Sequence, residues 1–79
     1  MQFSGTVVEV TSHSVFVEIV EGVWGVVRHK YLVEAGYEYE RYQESLKIRQ
    51  GIDVEVVGIS EAKRRIHLNL SRNLNRPIT

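Results

Sequence analysis

Within residues 12–28 the chain reads SHSVFVEIVEGVWGVVR, two strand-like runs meeting at a Gly-containing turn. Side chains alternate between the two faces of a strand, so Val15, Val17 and Ile19 share one face and Ser14, Phe16 and Glu18 the other. A large ring on the polar face either pairs with another segment or is held out for a ligand. In the run that follows, Trp24 and Arg28 fall on one side by the same rule, and Arg64 and Arg65 add a basic pair near the far end of the chain. Aromatic faces stack on flat groups, while a guanidinium both stacks and grips an anion through its planar fork. The chemistry on offer is recognition of something flat and negatively charged.

Placing these groups falls to one small domain of 79 residues. A chain of this size buries only about 60% of its unfolded surface, so a closed sheet suits it better than an open one with exposed edges. The 43% apolar and 25% charged content is that of an ordinary globular protein. With no cysteine there is neither a disulfide framework nor a thiolate metal site. No apolar run approaches the roughly 18 residues of a membrane span, and the N-terminus lacks the basic and apolar regions of a signal peptide. The expectation is a cytoplasmic protein with no membrane partner. A net charge of zero argues against duplex DNA binding through bulk charge. The charge is nonetheless uneven: residues 62–79 carry five basic side chains and no acid, whereas acids outnumber bases in residues 34–55.

Residues 5–10, 14–20 and 23–28 read as three strands, the last two joined by Glu21-Gly22 as an antiparallel hairpin. Residues 38–47 lack Gly and Pro, and Tyr39, Tyr42 and Leu46 fall at i, i+3 and i+7, the spacing of one helix face. Residues 52–57 alternate as a fourth strand, with Gly58 marking a bulge or bend. A polar turn over residues 60–64 leads to the cleanest alternation in the chain. There Ile66, Leu68 and Leu70 point inward and Arg65, His67, Asn69 and Ser71 outward. Residues 1–72 form the domain and 73–79 a flexible tail. Three strands, a helix and two strands make an all-β, five-stranded antiparallel barrel with the helix plugging one end. This is the oligonucleotide/oligosaccharide-binding fold, which uses the second and third strands as its binding face.

The sequence also resembles the S-one RNA-binding domain family, the repeat module of ribosomal protein S-one. Five segments carry the resemblance: Gly5-Thr6-Val7, residues 13–17 (HSVFV), residues 22–30 (GVWGVVRHK), Gly51-Ile52-Asp53-Val54 and Arg65-Ile66-His67-Leu68-Asn69. It implies a surface on which Phe16 and Arg65 match the family pattern, His13 stands where a first aromatic is expected, and Arg28 stands at a histidine position. Ser60 replaces an aspartate, and Ser14 replaces a glycine. The implied function is single-stranded RNA binding, and with the residues read above the expectation is that bases stack on Phe16 and on His13 or Trp24 and that Arg28, Arg64 and Arg65 hold the phosphates. The implied setting is an accessory role in RNA metabolism or translation, within a larger RNA-processing or ribosomal complex or as a homo-oligomer.

The substitutions motivate a second reading: a protein-interaction or self-associating module of the same fold that has lost strong RNA binding. Tyr31, Tyr37, Tyr39 and Tyr42 read mainly as packing residues, with an exposed subset available to extend a binding surface. His13, His29 and His67 fit no compact ligand spacing, so neither a metal nor another cofactor is expected. No nucleophile, base and orienting group occur in a motif context, and no Gly-rich phosphate loop follows a strand, so the chain is not expected to be an enzyme.

Overall fold

The computed structural model describes residues 2–70. The elements are β1 (Gln2–Val10), β2 (Ser14–Val20), β3 (Val23–Arg28), α1 (His29–Glu34), α2 (Tyr42–Ser45), β4 (Gly51–Ser60) and β5 (Arg65–Leu70). The strands close into a barrel in the order β1-β2-β3-β5-β4, with β4 returning to β1. The tail expected at residues 73–79 lies outside the described residues.

β1 serves two neighbours. Its first half pairs with β4 from Gln2↔Glu55 to Thr6↔Gly51, and its second half pairs with β2 from Thr6↔Glu18 to Val10↔Val15. A close approach at Gly5 lets the strand make this handover, because a Cβ there would run into the Val17 side chain and the Glu18 carbonyl. The register then shifts between Val7 and Glu9. Val7 turns its amide to the Gln50 carbonyl at 2.9 Å and accepts from the Arg49 amide at 2.7 Å.

Four of the five strand pairs are antiparallel, but β3 and β5 run parallel through Gly25↔Ile66, Val26↔His67 and Val27↔Leu68. The all-antiparallel barrel expected from the sequence is corrected here, and the reason is parity. Directions can alternate around a closed ring only if the number of strands is even, so a five-stranded ring must contain a parallel pair. The register shift in β4 falls between Val56 and Gly58, where the sequence placed a bulge or bend.

Inside the barrel Val7, Val15, Val17, Val27, Val54 and Leu68 are fully buried. Gly25 faces the same interior: a Cβ on it would sit 2.5 Å from Leu68 Cδ1 and 3.1 Å from the Ile66 carbonyl oxygen. Leu32, Tyr42 and Leu46 join this core from the segment between β3 and β4 and provide the plug.

The plug is not the single helix expected over residues 38–47. Glu40 adopts a left-handed backbone (φ 65°), which interrupts that run, and α2 comprises only Tyr42–Ser45 before Leu46 turns extended. Tyr42 and Leu46 keep the buried face that their spacing gave them, whereas Tyr39 is 46% exposed. A second short helix, α1, follows β3 directly and buries Leu32. Gln43 ties α2 to the barrel by donating from Nε2 to the Val10 carbonyl at 2.8 Å. Burial raises the Tyr42 phenol above its ordinary value, with smaller contributions from Tyr39 and Glu40.

Candidate nucleic-acid interface

The outer surface of β2, β3 and β5 is set by the same alternation that fills the core. Phe16 lies opposite Val26, and Val26 lies beside His67 on β5, forming one row across three strands. Glu18 lies opposite Trp24 in the next row. Because Gly25 pairs with Ile66 in the parallel ladder, Trp24 and Arg65, one step earlier on each strand, lie alongside one another. Arg65 in turn pairs with Ser60 across the β4–β5 hairpin. The turn before it closes through the Arg64 amide donating to the Glu61 carbonyl at 3.2 Å, with Arg64 itself left-handed (φ 53°).

A shallow groove of ≈ 160 Å³ results, bounded by Phe16, Trp24, Gly25, Val26, Arg64, Arg65 and Ile66. Trp24 is 52% exposed and Val26 only 5%, so the groove has a covered apolar floor and an open indole at its rim. Phe16 is half-buried, and Arg64 and Arg65 are exposed. Among the described residues neither arginine is held in an ion pair; the ion pairs there are those of Arg41 with Glu38 and Glu44, each at 3.0 Å. No ring contact joins Phe16 to Trp24 among the described residues. Two separated ring faces, a greasy floor and two uncommitted guanidinium groups can receive a flat ring with an attached anion.

Four of the residues singled out in the sequence thus converge here: Phe16, Trp24, Arg64 and Arg65. The other two do not line the groove. Arg28 lies opposite Ser14, two positions beyond Val26 on the same face, exposed and without an ion pair among the described residues. His13 belongs to a different cluster. Thr11 fixes the turn that carries it, its Oγ1 accepting from the amides of His13 at 3.2 Å and Ser14 at 2.9 Å. The imidazole meets His29 and Tyr39, with ring centroids 6.2 and 5.5 Å away.

Sequence reasoning missed His67, which stands in the Phe16–Val26 row. Its outward position was legible from the β5 alternation, but its neighbours were not, since they depend on the parallel register. It also missed His29 beside His13, sixteen positions apart in the chain and joined only by the fold. Among the described residues no group of three or more His, Cys, Asp or Glu side chains could hold a metal ion. No helix among them is long and apolar enough to cross a membrane.

A five-stranded closed barrel with a short helical plug and one parallel closure is an OB-fold barrel, and the groove lies on the outer side of its β2–β3 sheet. The family profile described as the S1 RNA binding domain matches residues 1–71, and the chain belongs to that family. No curated protein matches the chain by sequence.

Solved structures share the fold. GSP13 from Bacillus subtilis is 23% identical, with a TM-score of 0.76, covering 100% of this chain and 59% of that one. The a/eIF2alpha-aDim2p-rRNA complex from Pyrococcus horikoshii contains a chain 21% identical, TM-score 0.71, covering 91% of this chain and 43% of that one. The uncharacterized protein MJ1198 from Methanocaldococcus jannaschii is 20% identical, TM-score 0.69, covering 89% and 86%. The present chain therefore spans less than two thirds of the length of two of these three.

Proposed function

We propose that this protein binds single-stranded RNA in the groove over β2, β3 and β5. Bases stack on Phe16 and Trp24, Arg64 and Arg65 take the phosphates, and Arg28 continues the phosphate track along the same face. The observation that carries the reading is the convergence on one groove of an open indole, a half-buried phenyl ring and two arginines in no ion pair among the described residues, from three strands and a turn. Family membership supports the ligand class, as does a structural neighbour whose chain sits in a complex with rRNA.

Stacking contributes roughly 1–3 kcal/mol per base. Two stacked bases without a strong charge field correspond to about micromolar or weaker affinity. A domain of that affinity acts through avidity, as an oligomer or as a cytoplasmic accessory to a larger RNA-processing or translation assembly. The work is binding rather than catalysis. Fluorescence titration of Trp24 with oligoadenylate at low salt tests the reading: quenching that saturates in the micromolar range is expected. Equal, negligible binding by the native protein and by Phe16→Ala/Arg65→Ala would sink it.

The runner-up is a protein-docking or self-associating module. It draws on exposed apolar side chains outside the groove, with Val20 50% and Ile59 67% exposed. Sedimentation of the free protein tests its self-associating form, which requires a concentration-dependent mass, and the titration above tells either form from RNA binding.

A further inference from the structure

His13, His29 and Tyr39 come from the β1–β2 turn, the first position of α1 and the loop before α2, yet their rings form one cluster. The centroids are 5.5 Å apart for His13–Tyr39, 5.5 Å for His29–Tyr39 and 6.2 Å for His13–His29, with interplanar angles of 75°, 57° and 87°. Rings meeting at such angles pack edge against face, so each contact covers one face in part, and the exposure of all three residues leaves the remainder to solvent. None of the three is needed by the core: all are exposed, and the buried aromatic beneath them is Tyr42, 6.4 Å from Tyr39.

The patch is also continuous with the groove. His13 precedes Ser14 and His29 follows Arg28, and Ser14 and Arg28 are paired across β2 and β3. From Trp24 to Arg28 the strand advances about 13 Å at roughly 3.3 Å per residue. The groove, Arg28 and the ring patch therefore follow one another in that order along β3 and past its end.

We infer that the His13–His29–Tyr39 patch is a second base-stacking subsite, taking a nucleotide of the same strand beyond the one whose phosphate Arg28 holds. The inference rests on the RNA reading of the groove and adds a footprint to it. A strand that fills both sites is several nucleotides long, within the range of about 4–16 that OB folds cover. The patch supplies stacking and little charge. Arg28 and Lys30 flank His29, Glu38 and Glu40 flank Tyr39, and Arg41 is already engaged by Glu38 and Glu44 at 3.0 Å each. The three rings thus offer a base a stacking contact, while the adjoining Arg28 takes the phosphate.

The test compares a dinucleotide, too short to span the two sites, with an octaadenylate. It uses the native protein, His29→Ala/Tyr39→Ala and Phe16→Ala, followed by amide and ring-proton shifts. Loss of the patch is expected to weaken the octanucleotide about tenfold, the effect of one stacked base, and to leave the dinucleotide unchanged. Phe16→Ala is expected to weaken both. On the native protein, the octanucleotide should shift the His13, His29 and Tyr39 ring protons and the dinucleotide should not, a readout independent of any variant's folding. If the octanucleotide binds the double variant as tightly as native protein and leaves those rings unshifted, the subsite is overturned while the groove stands. If native protein binds neither oligomer, the groove reading fails and the subsite falls with it.

Discussion

The groove and the ring patch are two ways of presenting aromatic groups on one barrel. In the groove Phe16 and Trp24 line a common cavity with no ring contact between them among the described residues, above a floor made by Val26 and beside arginines that are in no ion pair there. In the patch three rings already lean on one another, and the neighbouring charge is mixed, with Arg28 and Lys30 beside His29 and Glu38 and Glu40 beside Tyr39. Separated faces admit a ring between them and gain most of their contact only when a ligand arrives. Mutually leaning faces offer a surface to lie on, part of whose contact is already made. The groove should therefore dominate affinity and its salt dependence, and the patch should set length dependence.

The largest break of this asymmetry is Phe16→Ala/Trp24→Ala. Removing two stacking faces costs on the order of 3 kcal/mol, about a hundredfold in affinity. Anisotropy of a labelled octaadenylate measures it, set against the tenfold expected from the patch variant. Equal losses from the two variants would show that the groove has no primacy.

Next comes Gly25→Ala, which acts from beneath the groove. The new methyl would meet Leu68 inside a filled barrel, and overpacking of this kind costs typically 1–3 kcal/mol. Thermal unfolding should show a fall of several degrees at about 4–8 °C per kcal/mol for so small a domain. In the Leu68→Ala background Gly25→Ala should cost less than it does in the native protein. If the two substitutions were instead additive, the close approach would not be the cause.

How far each region was legible follows from the range of the interactions that make it. Phe16, Trp24 and the inward valines were assigned to faces by alternation along single strands, and the barrel kept those assignments. Arg65 was placed beside the rings by family resemblance and Arg64 by the basic run at residues 63–65, neither by strand pattern, because the approach to Trp24 depends on the parallel β3–β5 ladder. No local signal encodes that ladder, although the odd strand count demands a parallel pair somewhere. The patch was the least legible. His13 was expected to share the groove, but the Thr11 turn carries it toward His29, and Tyr39 left the helical stripe because Glu40 turns left-handed.

Arg64→Gly sharpens the contrast from the groove side with a smaller effect. A non-glycine residue at φ 53° carries a backbone penalty of roughly 1 kcal/mol, which glycine relieves. Stability should rise by a few degrees while RNA affinity falls. The salt slope of binding should shrink by about 0.7, one phosphate contact on a single strand. A variant that gains stability and keeps the native slope would remove Arg64 from the phosphate track.

The smallest effect expected is at Tyr42, the buried floor of the patch. Its hydroxyl donates to the His29 carbonyl only at a long 3.5 Å, so Tyr42→Phe should change stability at neutral pH by less than about 1 kcal/mol and leave octanucleotide affinity intact. The consequence lies at high pH. Burial raises the folded-state phenol above the ordinary value of 10.0, so above that pH the unfolded chain releases the proton more readily than the folded one. The folded state then binds more protons than the unfolded state, and stability falls as pH rises from 10 through the folded-state value. Urea midpoints measured from pH 8 to 11 should decline more steeply for native protein than for Tyr42→Phe. Parallel declines would mean that the phenol under the patch is free to ionise. The patch would then rest on a solvated residue, open like the groove rim rather than built on the core.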